Sequence, residues 1–596
     1  MLRPSDWAAI SAAAAPAFSH DGRTLFHLRG TGLPQIWAMP LGGPGAARPL
    51  SEHAEKVAFL RRAPTDDRLI WGVDAGGDER QQLWLLEPGA ARPRPLTADP
   101  RVIHDFGAVS PDGTEIAFSA NDRNEACWDV LVMDLASGAR RRLLEGPGER
   151  SVTAWSAVGD RLAVIGNRTT GDQSLLVINV AEDAVHEVPR TRPTRYAAAR
   201  FSADGTRLLV LTDQGGEFLR LERIDPATGV AEALFAPPGR DVEAWSLSPG
   251  GALLATIEND RGYALLRVGA PTAERPVVGG LPPGIVADLA WSVDGNRLAF
   301  AAQGPTEPPG LWLWERESAA ARPLWRPDPR AEAGIDPARL IAPALVTWRS
   351  TGGTAVPGWF AKPEVPPPAG GHPAVISVHG GPASQARADF RPDVQMLLDR
   401  GYAVLMPNVR GSTGYGRAWM EADDVGRRKV AIADLLAAHA WLAAQPGIAP
   451  GRIGVMGQSY GGWMVLAAVT LHPELWRAAV DWYGIADWFT LLRDTGPWRR
   501  DHRAAEYGLP GRDDAVLEAL SPIRRVAEVT APLLVAHGDR DPRVPIGESE
   551  RFVAEMHAHG LPVRYERFEY AGHGFIRPEH RRRIFEVVAE HFDRHL

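Results

Sequence analysis

The sequence predicts two domains, a seven-bladed β-propeller followed by an α/β-hydrolase-type domain with a doubly wound, mostly parallel sheet. Three observations predict this. A turn-and-strand unit recurs seven times before about residue 327, strand and helix patterns alternate after it, and a Gly-x-Ser-x-Gly turn at Gly457–Gly461 lies between a strand pattern and a helix pattern.

The repeated unit begins at Ser19-His20-Asp21-Gly22, Pro64-Thr65-Asp66-Asp67 and Ser110-Pro111-Asp112-Gly113. It returns at Ser156 with Gly159-Asp160, at Ser202 with Asp204-Gly205, at Ser248 with Gly250-Gly251 and at Ser292 with Asp294-Gly295. The copies lie roughly 43 to 48 residues apart, a period that suits one four-stranded blade each. Asp-Gly supplies the positive backbone angles of a tight hairpin, and the residues after it alternate as a half-buried strand should. A second strand recurs within the units, for example Gln35–Met39, Gln82–Leu86 and Asp129–Asp134. Two stacked sandwiches would not impose a constant period.

Arg326-Pro327-Asp328-Pro329-Arg330 ends the repeats, and its fixed proline angles suit a linker. The expected boundaries are 1–327 for the propeller with a short N-terminal extension, 328–339 for the linker and 340–596 for the second domain. There, apolar runs Ala374–Val378, Tyr402–Met406, Arg452–Met456, Ala478–Trp482 and Pro532–Ala536 read as strands. Pro392–Arg400, Ala431–Ala444 and Met464–Leu471 read as helices. Such alternation predicts a parallel sheet covered on both faces, with its ligand at the carboxyl ends of the strands.

The Gly457-Gln458-Ser459-Tyr460-Gly461 turn puts Ser459 on a sharp strand-to-helix bend. A serine hydroxyl needs an imidazole to take its proton and a carboxylate to orient that imidazole. In an α/β-hydrolase sheet these follow in the order Ser, Asp, His. His573, in Gly572-His573-Gly574 after the last strand pattern, is in the expected place, whereas His379, His439 and His537 read as structural. Asp539 and Asp541, both after the Pro532–His537 strand, are candidate acids. The Tyr460 N–H and one from the glycine-rich loop His379-Gly380-Gly381-Pro382, assigned to Gly381, are the expected oxyanion donors.

Composition narrows the class further. The chain has 596 residues, net charge −8 and no long basic run, which argues against nucleic acid as a partner. Cys127 is the only cysteine, so neither an intramolecular disulfide nor a cysteine metal site is expected. No apolar run of about 18 residues occurs, and the Ala-rich start does not read as a signal peptide, so a cytoplasmic enzyme without membrane contact is expected.

Together, His379-Gly380-Gly381-Pro382, Asn408–Gly416, the Ser459 turn, Asp541-Pro542-Arg543-Val544-Pro545 and Gly572-His573-Gly574 resemble the prolyl oligopeptidase family of serine peptidases, its acylaminoacyl peptidase branch most of all. The resemblance implies a Ser459–Asp541–His573 triad, selecting Asp541 over Asp539, and gives Arg543 the place of a residue that holds a substrate carbonyl. It implies hydrolysis of short, unfolded peptides, N-acylated ones among them, through an acyl-enzyme, with no metal or cofactor. A propeller that caps the site and self-association into a homo-oligomer are implied as well. Dipeptidyl members bind a free amine with paired propeller glutamates, for which Asp78-Glu79 and Glu125 are weak candidates here. The basic segment Arg493–Arg503 should border the pocket as a loop, and Arg499, Arg500 and Arg503 are candidates to bind a substrate carboxylate, which would make the enzyme carboxypeptidase-like. A carboxylic-ester hydrolase is the other enzymatic alternative. A catalytically silent propeller scaffold is disfavoured because all the reacting groups are present.

Overall fold

The computed structural model describes residues 2–42 and 45–596. Its first half forms seven antiparallel sheets of consecutive strands, from Ala12–Phe18 in the first to Arg322–Trp325 in the last. The recurrent serine and aspartate explain why each unit turns where it does. Ser19, Ser110 and Ser202 each donate a hydrogen bond of 2.6 Å to the aspartate two residues on. The same hydroxyls accept from the backbone N–H five residues on, at 2.9 to 3.0 Å. Gly22, Gly113, Gly205 and Gly295 then take φ values of 68° to 75°, where a side chain would be strained.

The ring closes by packing and hydrogen bonding, since each sheet is built of consecutive strands. Arg161 reaches the turn carbonyl of Gly205 in the next blade at 2.9 Å, and Arg297 of the last blade reaches that of Gly22 in the first at 2.8 Å. Ala13, Phe18 and Leu25 share a buried cluster with Ala299, Leu311 and Leu313 across this seam. One blade departs from the four-stranded expectation: the sixth contains only Asp241–Leu247, Leu254–Asp260 and Tyr263–Gly269. Where a fourth strand would run, only an isolated bridge from Val277 to Arg267 remains.

The second half contains one eight-stranded sheet. Its strands are β1 (Ala344–Arg349), β2 (Ala355–Ala361), β3 (His372–Val378), β4 (Ala403–Pro407), β5 (Ile448–Gln458), β6 (Ala478–Trp482), β7 (Leu533–Gly538) and β8 (Val563–Phe568). The order is β1-β2-β4-β3-β5-β6-β7-β8. Pairing is antiparallel from β1 through β4 and parallel from there to β8. Central strands β3, β4 and β6 are buried throughout, as strands covered on both faces must be. Three helices concern the site: α1 (Tyr460–Leu471), α2 (Pro497–Tyr507) and α3 (Pro578–His595). The N-terminal extension packs on this second domain, where Trp7, Ala8 and Ile10 join Phe585, Val588 and Phe592 in one buried cluster.

Candidate active site

Strand β5 runs directly into α1, and Ser459 at the junction takes φ 58° and ψ −121°. This is a strained setting for a residue with a side chain, and it persists only because the surroundings fix it. A Cβ on Gly457 would lie 2.3 Å from the Gly461 carbonyl oxygen, and one on Gly461 2.3 Å from that of Val378, so both turn glycines answer to steric demand. Tyr460 is the first residue of α1 and its N–H has no intrahelical acceptor. Beyond β3, Gly380 comes so near that a Cβ there would lie 3.4 Å from the Ser459 Cβ. Gly380, Gly381, Ser459 and His573 line one cavity of about 460 Å³. The Gly381 carbonyl accepts from the Tyr507 hydroxyl at 3.3 Å, which fixes that peptide.

His573, after β8, presents Nδ1 to Asp541 Oδ2 at 2.6 Å. Asp541 is buried and also accepts from the backbone N–H groups of Arg543 and Val544, at 2.8 and 3.0 Å. Burial by itself would raise its carboxyl, but His573 and His537 outweigh burial and hold it well below the usual carboxylate range. Asp539 is engaged elsewhere, accepting from the Ala571 N–H at 3.4 Å. The other histidines are structural, as their sequence settings suggest. His537 lies between Ser549 Oγ and the Val544 carbonyl at 2.7 and 2.9 Å, His379 between the Gly380 carbonyl and Ser412 Oγ at 2.7 and 3.0 Å, and His439 reaches the Leu475 carbonyl at 3.1 Å. A strained serine, an imidazole fixed by a buried carboxylate and a helix N-terminus around one cavity suit acyl transfer.

A model of the prolyl oligopeptidase family matches residues 388–596, which include all three groups. Its catalytic domain belongs to the prolyl oligopeptidase family of serine peptidases. Over 96% of its length it is 27% identical to dipeptidyl aminopeptidase BIII of Pseudoxanthomonas mexicana, covering 85% of that protein. It is 30% identical to the human acylamino-acid-releasing enzyme over 34% of the chain and 29% of that enzyme. The whole fold superposes on a puromycin-hydrolyzing peptidase of Mycobacterium tuberculosis with a TM-score of 0.86 at 22% identity, covering 100% of this chain and 96% of the other.

In this peptidase the propeller meets the catalytic domain around the cavity. Glu79, from the second blade, accepts from Arg499 at 2.9 Å and from Arg543 at 2.5 Å. Burial would raise the Glu79 carboxyl, yet the two arginines outweigh burial and lower it. Glu149, on the first strand of the fourth blade, is raised by burial against the opposing pull of Arg499. Thr170, on a propeller hairpin, lies 3.4 Å from His502 and 3.3 Å from Glu506 of α2. Trp128 packs on Trp498 with ring centres 6.3 Å apart.

The basic segment is helical where a loop was expected: Pro497 suits a first helical turn, and Ala504 and Tyr507, three residues apart, are buried together. Of its arginines, Arg503 lines the cavity, and its guanidinium lies over the Tyr507 ring, 5.7 Å from the centre. Arg499 is engaged by Glu79. Arg500 is a correction to the expected site: it donates at 2.9 Å to the carbonyls of Leu492 and Arg493 and so closes the preceding helix end. Glu149, Thr170, Glu506 and Tyr483, whose ring centre lies 4.6 Å from that of His573, were missed by sequence reasoning. No local motif marks them, although the propeller and α2 residues belong to stretches expected to cap or border the site.

Proposed function

We propose that the chain hydrolyses short peptides near the amino-terminal end through an acyl-enzyme on Ser459. His573 moves the proton, Asp541 orients the imidazole, and the Tyr460 and Gly381 N–H groups stabilise the oxyanion. Arg543 guides the substrate backbone. The preferred reading is release of an N-acylated residue. The observation that carries it is the Arg499–Glu79–Arg543 bridge, which neutralises the Glu79 carboxylate beside the triad. Dipeptide release is the second reading. It is favoured by the influence of Arg499 on both Glu79 and Glu149 and by likeness along most of the chain to a dipeptidyl aminopeptidase. Carboxypeptidase-like trimming through the α2 arginines loses support, because Arg499 and Arg500 already have partners.

One experiment separates these readings. Wild type and Ser459→Ala are given a peptide series with the amino terminus free or acetylated and the carboxyl terminus free or amidated, and the products are read by mass spectrometry. An acetylated first residue establishes the first reading, and free dipeptides the second. Turnover of simple esters with no cleavage of any peptide would favour an esterase.

A further inference from the structure

A second cavity of about 630 Å³ lies between the propeller's inner strands and the catalytic domain. Arg543 lines both this cavity and the one holding Ser459. The short side chains of Ala12, Ala13 and Ala14 form part of its wall. Several of its charged groups have partners within the protein, although both Asp74 carboxylate oxygens are buried without a hydrogen bond. Glu79 takes Arg499 and Arg543, Lys56 lies 3.6 Å from Asp74, and Asp105 accepts from Ser151 Oγ at 2.8 Å. Burial pushes the Asp105 carboxyl up to about 6 and also raises Asp74.

Arg581, on the first turns of α3, lines this cavity and stands apart. Among the described residues it makes no ion pair and no side-chain hydrogen bond, and burial alone lowers its pKa. Nearby Arg577 and Arg583 are held by Glu55 at 2.7 Å and Glu566 at 2.8 Å. The blade-one turn packs closely over Arg581, since a Cβ on Gly32 would lie 3.2 Å from its Cδ. A half-buried arginine with no side-chain partner among the described residues, lining a cavity that adjoins the nucleophile, matches a carboxylate in charge and in bidentate geometry.

We propose that Arg581 is a specificity-determining residue that binds a peptide-borne carboxylate, so that the peptidase prefers substrates carrying one at a fixed distance from the scissile bond. The proposal rests on hydrolysis at Ser459 and goes beyond it by naming a substrate class. Two sources supply this group, an acidic side chain and a free carboxyl terminus.

The test uses peptides of one length: neutral with an amidated terminus, neutral with a free terminus, and acidic in sequence with an amidated terminus. Each is assayed with wild type, Arg581→Gln and Arg581→Lys, and fluorophosphonate labelling of every variant reports an intact site. Wild type should prefer at least one carboxylate-bearing peptide, and which one identifies the source. Arg581→Gln should lower kcat/KM for that peptide at least about tenfold, chiefly through KM, and erase the preference. Arg581→Lys should keep part of it. Absence of any preference in wild type, or an equal loss on all three peptides in Arg581→Gln, overturns the proposal. Turnover that survives Ser459→Ala would instead overturn the catalytic reading.

Discussion

Gly572 and Gly77 meet backbone to backbone: a Cβ on Gly572 would lie 1.9 Å from the Gly77 carbonyl oxygen. Gly77 belongs to the second propeller blade, and Gly572 immediately precedes His573, so the lid rests on the loop that carries the imidazole. Gly572→Ala should push this contact apart while leaving every proposed reacting group in the chain. The expected result is slower fluorophosphonate labelling and a fall in kcat of about tenfold or more, consistent with small misplacement of a catalytic group. Labelling at the wild-type rate would show that the loop does not depend on the contact.

Ser459→Ala should abolish fluorophosphonate labelling. Asp541→Asn should keep the fold but lower kcat on the order of 10³- to 10⁴-fold, because an amide no longer holds the imidazole in the required tautomer. Asp539→Asn should cost far less, since Asp539 accepts from the Ala571 backbone and lies outside the His573 pair. Matched losses in the two aspartate variants would contradict the assignment of the acid.

Arg428 should prove structurally essential. It is fully buried, pairs with Asp423 at 2.8 Å, and lies over the rings of Tyr460 and Tyr507 at 5.1 and 4.8 Å. The same Asp423 oxygen accepts from the Tyr460 hydroxyl at 2.8 Å, which ties this network to the residue beside Ser459. Arg428→Met should destabilise the catalytic domain by about 3 to 5 kcal/mol, because it strands buried acid groups. Urea unfolding measures this. Arg428→Met combined with Asp423→Asn should recover part of the loss.

Asp481, wholly buried at the end of β6, gives a signed pH prediction. Burial pushes its carboxyl up to about 7. Between the unfolded value near 4 and about 7, the folded protein holds a proton that the unfolded chain releases, so this group's contribution to stability falls as pH rises through that window. Asp481→Asn should flatten the decline, by an amount on the order of a few kcal/mol over the window. Thermal unfolding from pH 4.5 to 7.5 measures it, and an unaltered slope in the variant would refute it.

Glu79→Gln should remove the anion shared by Arg499 and Arg543 and leave two cations facing the substrate. An amidated, acetylated peptide should then show a higher KM, because Arg543 loses the partner that fixes it. Titrating KM against salt provides a second reading: the variant should be more salt-sensitive, as exposed charges are screened most.

Much of this was legible because the chemistry that fixes it is local. Ser202-Ala203-Asp204-Gly205 must turn wherever it occurs, since its own hydroxyl and carboxylate bond to each other and to nearby backbone. Ser459 must sit at a strained junction because Gly457 and Gly461 leave no alternative packing. The α2 segment was misread because its arginines obscured the few apolar residues, Trp498, Ala504 and Tyr507, that the helix buries. The sixth blade lacks a fourth strand, which the repeat period alone does not register.

The sequence by itself determined the two architectures, the family motifs and the order of Ser459, Asp541 and His573 along the chain, because turn chemistry, strand alternation and glycine requirements act over a few residues. Only the tertiary structure decided which arginines are already engaged. It placed Glu79 between Arg499 and Arg543, turned Arg500 onto backbone carbonyls, set the N-terminal helix against α3, and left Arg581 without a partner beside a cavity. Charge pairing depends on distances between side chains hundreds of residues apart in sequence, and those distances exist only after the propeller has settled on the catalytic domain.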